Sequence, residues 1–195
     1  MGRGILWMDG GTVDEDTWWA IQRALRETPA RLGDTKVVAV DGPSGSGKST
    51  FAGELVRRLP GAALVSTDDF ATWDDPVSWW PRLVEGVLEP LGRGGSGCYR
   101  RTRWVNGVPR PGDLRRVDVP AVLVLEGVSA GRRSVGSLLS VLVWCELPDP
   151  EVRLARAVAR DGVGSRAELQ RWQAFEAGWY AVDGTRDRAS VIHSV

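Results

Sequence analysis

Gly42-Pro-Ser-Gly-Ser-Gly47-Lys48-Ser49 is the stretch that decides how this chain reads. Its spacing is G-x-x-x-x-G-K-[ST], and phosphate chemistry supplies a reason for each position. Glycines let backbone N–H groups curl around phosphate oxygens with no Cβ in the way. Lys48 is placed to reach β- and γ-phosphates, and the Ser49 hydroxyl to ligate Mg²⁺. A helix opening at this point turns its positive end toward the anion. Gly42, Ser44, Gly45, Ser46, Gly47, Lys48, Ser49 and Thr50 are therefore the expected nucleotide-binding residues. The flanks agree. The β-branched run Lys36 to Val40 precedes the loop, and Phe51, Leu55, Val56 and Leu59 follow at helical spacing until Pro60-Gly61.

Outward from the loop, short apolar runs at Ala63 to Ser66, Val122 to Leu125, Val141 to Cys145 and Ser190 to His193 read as further strands. Helical spacing predicts helices over Asp14 to Arg31, with Trp18, Trp19, Ile21 and Leu25 apolar, over Val77 to Leu91, over Pro150 to Arg160 with Asp149 as its cap, and over Arg166 to Tyr180. Strands alternating with helices imply an α/β fold: a parallel sheet covered on both faces. Gly92, Gly94 and Gly97 fit G-x-G-x-x-G but follow a helical segment rather than a strand, so they read as a loop. Tyr99 to Val119 reads as polar, Arg-rich and irregular. Residues 1–35 form an N-terminal segment and helix, with Met1 to Gly11 a loose terminus. Residues 36–195 form the nucleotide-binding domain, with an acceptor-binding insertion at about 70–118 and a lid at about 153–170.

Composition narrows the class. The 195 residues are 43% hydrophobic and 26% charged, which suits one globular domain, and formal net charge is zero. No overall field draws the chain to nucleic acid or an acidic membrane, so any positive charge that matters is local. No apolar run approaches the roughly 20 residues of a membrane span. Met1 to Thr12 lacks the basic start and apolar stretch of a signal peptide. Cys98 and Cys145 are too few for a disulfide framework or a zinc site, so a cytoplasmic location is expected. Lys36 and Lys48 are the only lysines, which singles out Lys48.

Acids at strand ends supply the other half of a phosphoryl-transfer site. Asp68-Asp69-Phe70 follows the Ala63 to Ser66 strand, and ligands of parallel sheets sit beyond the carboxyl ends of strands. Asp68, nearer the strand, is expected to take the proton of an attacking hydroxyl, and Asp69 to serve Mg²⁺. Glu126, at the tip of Val122 to Leu125, is expected to order the metal or its waters. Asp41, just ahead of the loop, reads as structural. Arg153, Arg156 and Arg160 share one helix face before Asp161-Gly162, which suits a lid that neutralises a transferring phosphoryl group, with Arg156 and Arg160 foremost. Trp73, Trp80, Tyr99, Arg101 and Trp104 are the candidates for holding an acceptor, through stacking and charge. His193 reads as structural.

Taken together, Gly42 to Ser49, Ser66-Thr-Asp68-Asp69-Phe70, Leu125-Glu126-Gly127, Arg153 to Asp161 and Asp187-Arg-Ala-Ser-Val-Ile192 resemble, in order and spacing, the uridine kinase, phosphoribulokinase and pantothenate kinase family of P-loop kinases. The resemblance spans Val37 to Val195. It implies a five-stranded parallel sheet, an ATP and Mg²⁺ donor, Asp68 as base and the Arg156/Arg160 region as lid. Uridine kinases carry a histidine shortly after a Tyr-Asp-Phe segment; the matching stretch here, Tyr99-Arg-Arg-Thr-Arg-Trp104, has none. The expected activity is transfer of the ATP γ-phosphoryl to a hydroxyl of a nucleoside-like or other small polar metabolite. The alternatives are a nucleoside monophosphate kinase and, from a different class, a nucleotide-gated regulatory ATPase. A guanine-reading Asn-Lys-x-Asp is absent from the sequence, which weakens a GTPase switch.

Overall fold

A computed structural model describes residues 13–105 and 107–195. The expected loose terminus, Met1 to Gly11, lies outside the described residues. Five strands, β1 (Lys36–Asp41), β2 (Ala62–Ser66), β5 (Val122–Glu126), β6 (Val141–Glu146) and β7 (Val191–Ser194), form one sheet in the order β2-β5-β1-β6-β7. Every pairing in it is parallel. This is the α/β P-loop NTPase architecture.

Side-chain alternation along β1 explains why its sequence is apolar throughout. Val38 and Val40 point to one face, where they meet Phe51 and Leu55 of α2 (Lys48–Arg58) and Ile21 and Leu25 of α1 (Glu15–Glu27). Val37 and Ala39 point to the other, against Phe70, Trp79, Trp80 and Leu83. The second layer is built on α3, a helical stretch of two α turns, Trp80–Leu83 and Glu89–Gly92, around a π segment, Val84–Leu88. Helices α4 (Pro150–Asp161) and α5 (Arg166–Asp183) close the carboxyl end of the sheet. Asp149 caps α4 by accepting from the amides of Glu151 and Val152. Among the described residues, no helix is long and apolar enough to cross a membrane.

Two sequence expectations change. Helix α1 stops at Glu27 rather than Arg31, because Thr28 precedes Pro29 and is held extended (φ −99°, ψ 130°). Its buried face is Thr17, Ile21 and Leu25, and Trp19 is 59% exposed. The stretch expected to be irregular is an antiparallel hairpin, β3 (Gly97–Val105) and β4 (Val108–Val117). The sequence hides it because a register shift between Arg100 and Thr102 moves the buried positions from Gly97 and Tyr99 to Thr102. That β-bulge breaks the period of two that marks a strand.

Phe51 is fully buried in the α1/α2 layer. Phe51→Ala is expected to cost about 3–5 kcal/mol, read as a lower denaturant midpoint at unchanged m-value.

Candidate active site

The phosphate loop is shaped by close backbone approaches that exclude side chains. A Cβ on Gly42 (φ +144°) would lie 2.1 Å from the Cys145 carbonyl oxygen on β6. A Cβ on Gly45 (φ +80°) would lie 2.4 Å from the Arg153 carbonyl oxygen on α4. The loop is thus clamped between a core strand and the first turns of α4. Helix α2 opens at Lys48 from Gly47, which adopts the left-handed region and gives no side-chain cap, so the first-turn amides stay available to an anion. Above the loop lies a cleft of about 610 Å³ lined by Ser44, Gly45, Gly47, Lys48, Ser49 and Thr50. Facing them are Asp68, Glu126, Arg156 and Arg160. Gly42 and Ser46 lie beneath this surface, both buried, and Ser46 Oγ has no partner among the described residues.

Glu126 ends β5 beside β1, so its carboxylate reaches the loop. Oε1 accepts from Ser49 Oγ at 3.0 Å and Oε2 from Ser66 Oγ at 3.0 Å. Burial pushes its pKa up, while the Lys48 charge pulls it back. Lys48 Nζ donates to the Pro43 carbonyl at 3.1 Å. Ser49 and Glu126 form an all-oxygen donor pair suited to Mg²⁺, which takes one or two protein ligands and fills its shell with water and phosphate. Among the described residues no group of three or more His, Cys, Asp or Glu is placed to hold a metal ion by itself.

The two neighbouring aspartates part company. Ser66 Oγ caps the short 3-10 turn Thr67–Asp69. Asp68 is exposed on the cleft. Asp69 is buried and accepts from the Tyr99 hydroxyl at 2.6 Å, with Arg101 at 3.5 Å and Arg115 at 3.9 Å. The structure therefore turns Asp69 to the hairpin and does not bring it to Ser49 and Glu126. Burial and the Asp69 carboxylate together raise the Tyr99 pKa.

The acceptor candidates divide in the same way. Trp80 is a core residue whose indole N–H donates to Ser129 Oγ at 3.2 Å, Tyr99 donates to Asp69, and Arg101 faces Asp69 at 3.5 Å without a hydrogen bond to it. Trp73 and Trp104 do meet, with ring centroids 5.0 Å apart, and they line a second cleft of about 460 Å³. Trp172, Leu169, Asp161 and Ser165 complete its wall, and Ser44, Asp68 and Arg160 belong to both clefts. Arg160 forms a two-pronged pair with Asp161, both contacts 2.7 Å, and this pairing raises its pKa. Arg153 instead donates to the Leu147 and Pro148 carbonyls and supports the start of α4.

Sequence reasoning missed Trp172 and Glu176. With Leu169 they sit at i, i+3 and i+7 of α5, a one-face spacing that pointed inward. Glu176 is 2% exposed, and its carboxylate accepts from both the backbone N–H and the hydroxyl of Ser44. Burial raises its pKa, opposed by Lys48. Asp41 is buried completely, and its pKa is pushed up to about 6 although it accepts from the amides of Gly42, Ser129 and Gly131.

A carboxylate whose folded-state pKa is raised loses stability as pH climbs through that pKa, because the folded state holds the proton longer than the unfolded chain. Glu176→Gln keeps an acceptor for the Ser44 amide and a donor for its hydroxyl. It is expected to fold within about 1 kcal/mol of the parent chain and to flatten the decline in stability as pH rises above the usual carboxylate range. Glu176→Ala leaves the Ser44 amide unpaired and is expected to cost about 1–3 kcal/mol. Denaturant titrations at several pH values measure both.

No family model matches the chain, and no curated protein matches it in sequence. Solved structures do match its fold. One is described as a possible uridine kinase from Bacillus stearothermophilus, at 15% identity and a TM-score of 0.60, covering 91% of this chain and 99% of that one. Another is described as a fructose transport system kinase from a Silicibacter species, at 19% identity and a TM-score of 0.61, covering 89% of this chain and 95% of that one. The chain has the fold of the uridine kinase-like P-loop kinases.

Proposed function

We propose that this protein is an ATP-dependent kinase that transfers the γ-phosphoryl group to a hydroxyl of a small molecule. The observation that carries the reading is the overlap of the two clefts at Ser44, Asp68 and Arg160. One cleft has the amides, Lys48 and the helix N-terminus that suit a triphosphate. The other is an aromatic chamber that opens onto the same point. A regulatory ATPase has no need of a second chamber at its γ-phosphate position.

The residues divide the work as follows. Loop amides and Lys48 hold the phosphates. Asp68, exposed at the junction, accepts the acceptor's hydroxyl proton as that oxygen bonds to γ-phosphorus, while the bond to the β–γ bridging oxygen breaks and its electron pair leaves on ADP. Arg156 and Arg160 sit across from the loop, where they offset charge on the transferring group. Ser49 and Glu126 would hold Mg²⁺, which supplies charge neutralisation when bound. Kinase fold neighbours support the general class.

Lys48→Ala is expected to lower kcat by about 10²–10³ with the fold intact, because the loop's glycines, not the lysine, set its path. Asp68→Asn is expected to keep ATP affinity and lose about 10²–10⁴ in turnover. Paired measurement of ATP binding by titration and of ADP release against hydroxylated metabolites decides the matter. Full turnover in Asp68→Asn would move the base elsewhere, and ADP release that no hydroxyl compound stimulates would point to a regulatory ATPase.

A further inference from the structure

The second cleft has a distinctive chemistry. Trp73 stands edge-to-face to both Trp104 and Trp172, with ring centroids 5.0 and 5.8 Å away and interplanar angles of 63° and 81°. Three indoles in crossed orientations form a corner rather than a flat stacking slot. The Trp73 N–H is spent on the Gly107 carbonyl, 3.0 Å away, so that ring offers its π system rather than a donor. Ala71 and Leu169 add apolar wall.

The charges of this cleft are Asp68, Asp161 and Arg160. Among the described residues that line it there is no lysine, no histidine, no second arginine and no carboxamide. An anionic acceptor would find one cation, and that cation also lines the phosphate cleft, where the transferring group claims it. A nucleobase would find few groups to read its edges. The Arg160–Asp161 pair lies at the surface, with the two side chains 60% and 33% accessible, so solvent and salt screen it. It gives way readily when a stronger anion arrives. Once Arg160 turns to the phosphoryl group, Asp161 faces the indole corner as an unpaired carboxylate. Aromatic faces with a carboxylate beside them suit an organic cation.

We infer that the acceptor is a small hydroxylated amine, bound as its ammonium ion between the indoles of Trp73, Trp104 and Trp172 and the carboxylate of Asp161, with its hydroxyl directed to Asp68. This rests on the kinase reading above and deepens it. The phosphoryl step is unchanged: the acceptor O–H bond breaks with its proton passing to Asp68, an O–P bond forms, and ADP departs with the electron pair. The ammonium group takes no part in bond making; it balances the carboxylates that the arginine leaves behind.

The test is ADP release from the full chain with Mg²⁺ and ATP, across hydroxyl compounds sorted by charge. Ammonium alcohols and amino sugars form one class, neutral polyols, nucleosides and simple alcohols a second, and hydroxy acids and sugar phosphates a third. Choline and dimethylaminoethanol are compared directly with dimethylbutanol, the uncharged carbon isostere of choline. Ammonium acceptors are expected to exceed matched neutral ones by about tenfold or more in kcat/KM. Asp161→Asn is expected to erase that preference by raising KM for the ammonium class far more than for the neutral class. Stimulation confined to neutral or anionic compounds, or a charge preference that survives Asp161→Asn, overturns the inference and leaves the kinase reading standing. Stimulation by no compound in any class overturns both.

Discussion

Four donors converge on one buried carboxylate, and the site hangs from that convergence. Asp41 ends β1 and accepts from the amides of Gly42, Ser129 and Gly131, while the Tyr180 hydroxyl lies 2.7 Å from its Oδ1. These bonds tie the first residue of the phosphate loop to the turn after β5 and to helix α5. Ser129, held by one of them, has a positive φ of 69°, a conformation that a non-glycine residue keeps only where its surroundings enforce it. Hydrogen bonds do not fully repay the burial, since the Asp41 pKa stays raised. The gain is rigidity: loop, β5 turn and α5 share one anchor, so the groups they carry keep a fixed relation.

That anchor explains what the sequence could and could not disclose. The loop, β1 and α2 were legible because their spacing obeys local rules: a fixed glycine pattern, an apolar strand, a helical stripe. Glu126 and Asp68 were legible from position, since both follow strand ends on one edge of a parallel sheet. Asp69 was not, because adjacent residues in a 3-10 turn point in different directions and only the hairpin reveals which way. Tyr99 and Trp80 read as binding residues on composition alone, whereas they fill the space between α3, the hairpin and the turn after β2. Asn106-Gly107 is a two-residue turn signature in the sequence. A bulge four residues before it masked the alternation that would have confirmed the strand. Glu176 shows the remaining limit. Nothing local to α5 announces that a carboxylate will meet an amide 132 residues away.

Zero net charge concealed a local imbalance. Asp41, Glu126 and Glu176 are all buried around the phosphate loop, and the Lys48 charge acts on each of them in the direction opposed to burial. Three carboxylates set against one lysine do not make an attractive site for a polyanion. The loop amides, the α2 terminus and the two cleft arginines redress part of the balance, but the arginines lie across the cleft and Arg160 is held by Asp161. On the proposed function, positive charge would come to the site from two directions: a divalent cation at Ser49 and Glu126, and the guanidinium groups of α4. Each carries a condition with it. On that reading the cation would arrive with the phosphates, and Arg160 would leave Asp161 for the transferring group. On the proposed function, a site electrostatically short of cations when empty would favour a metal-bound nucleotide over a bare one, and the same shortage would make its acceptor side more hospitable to a cation than to a second anion.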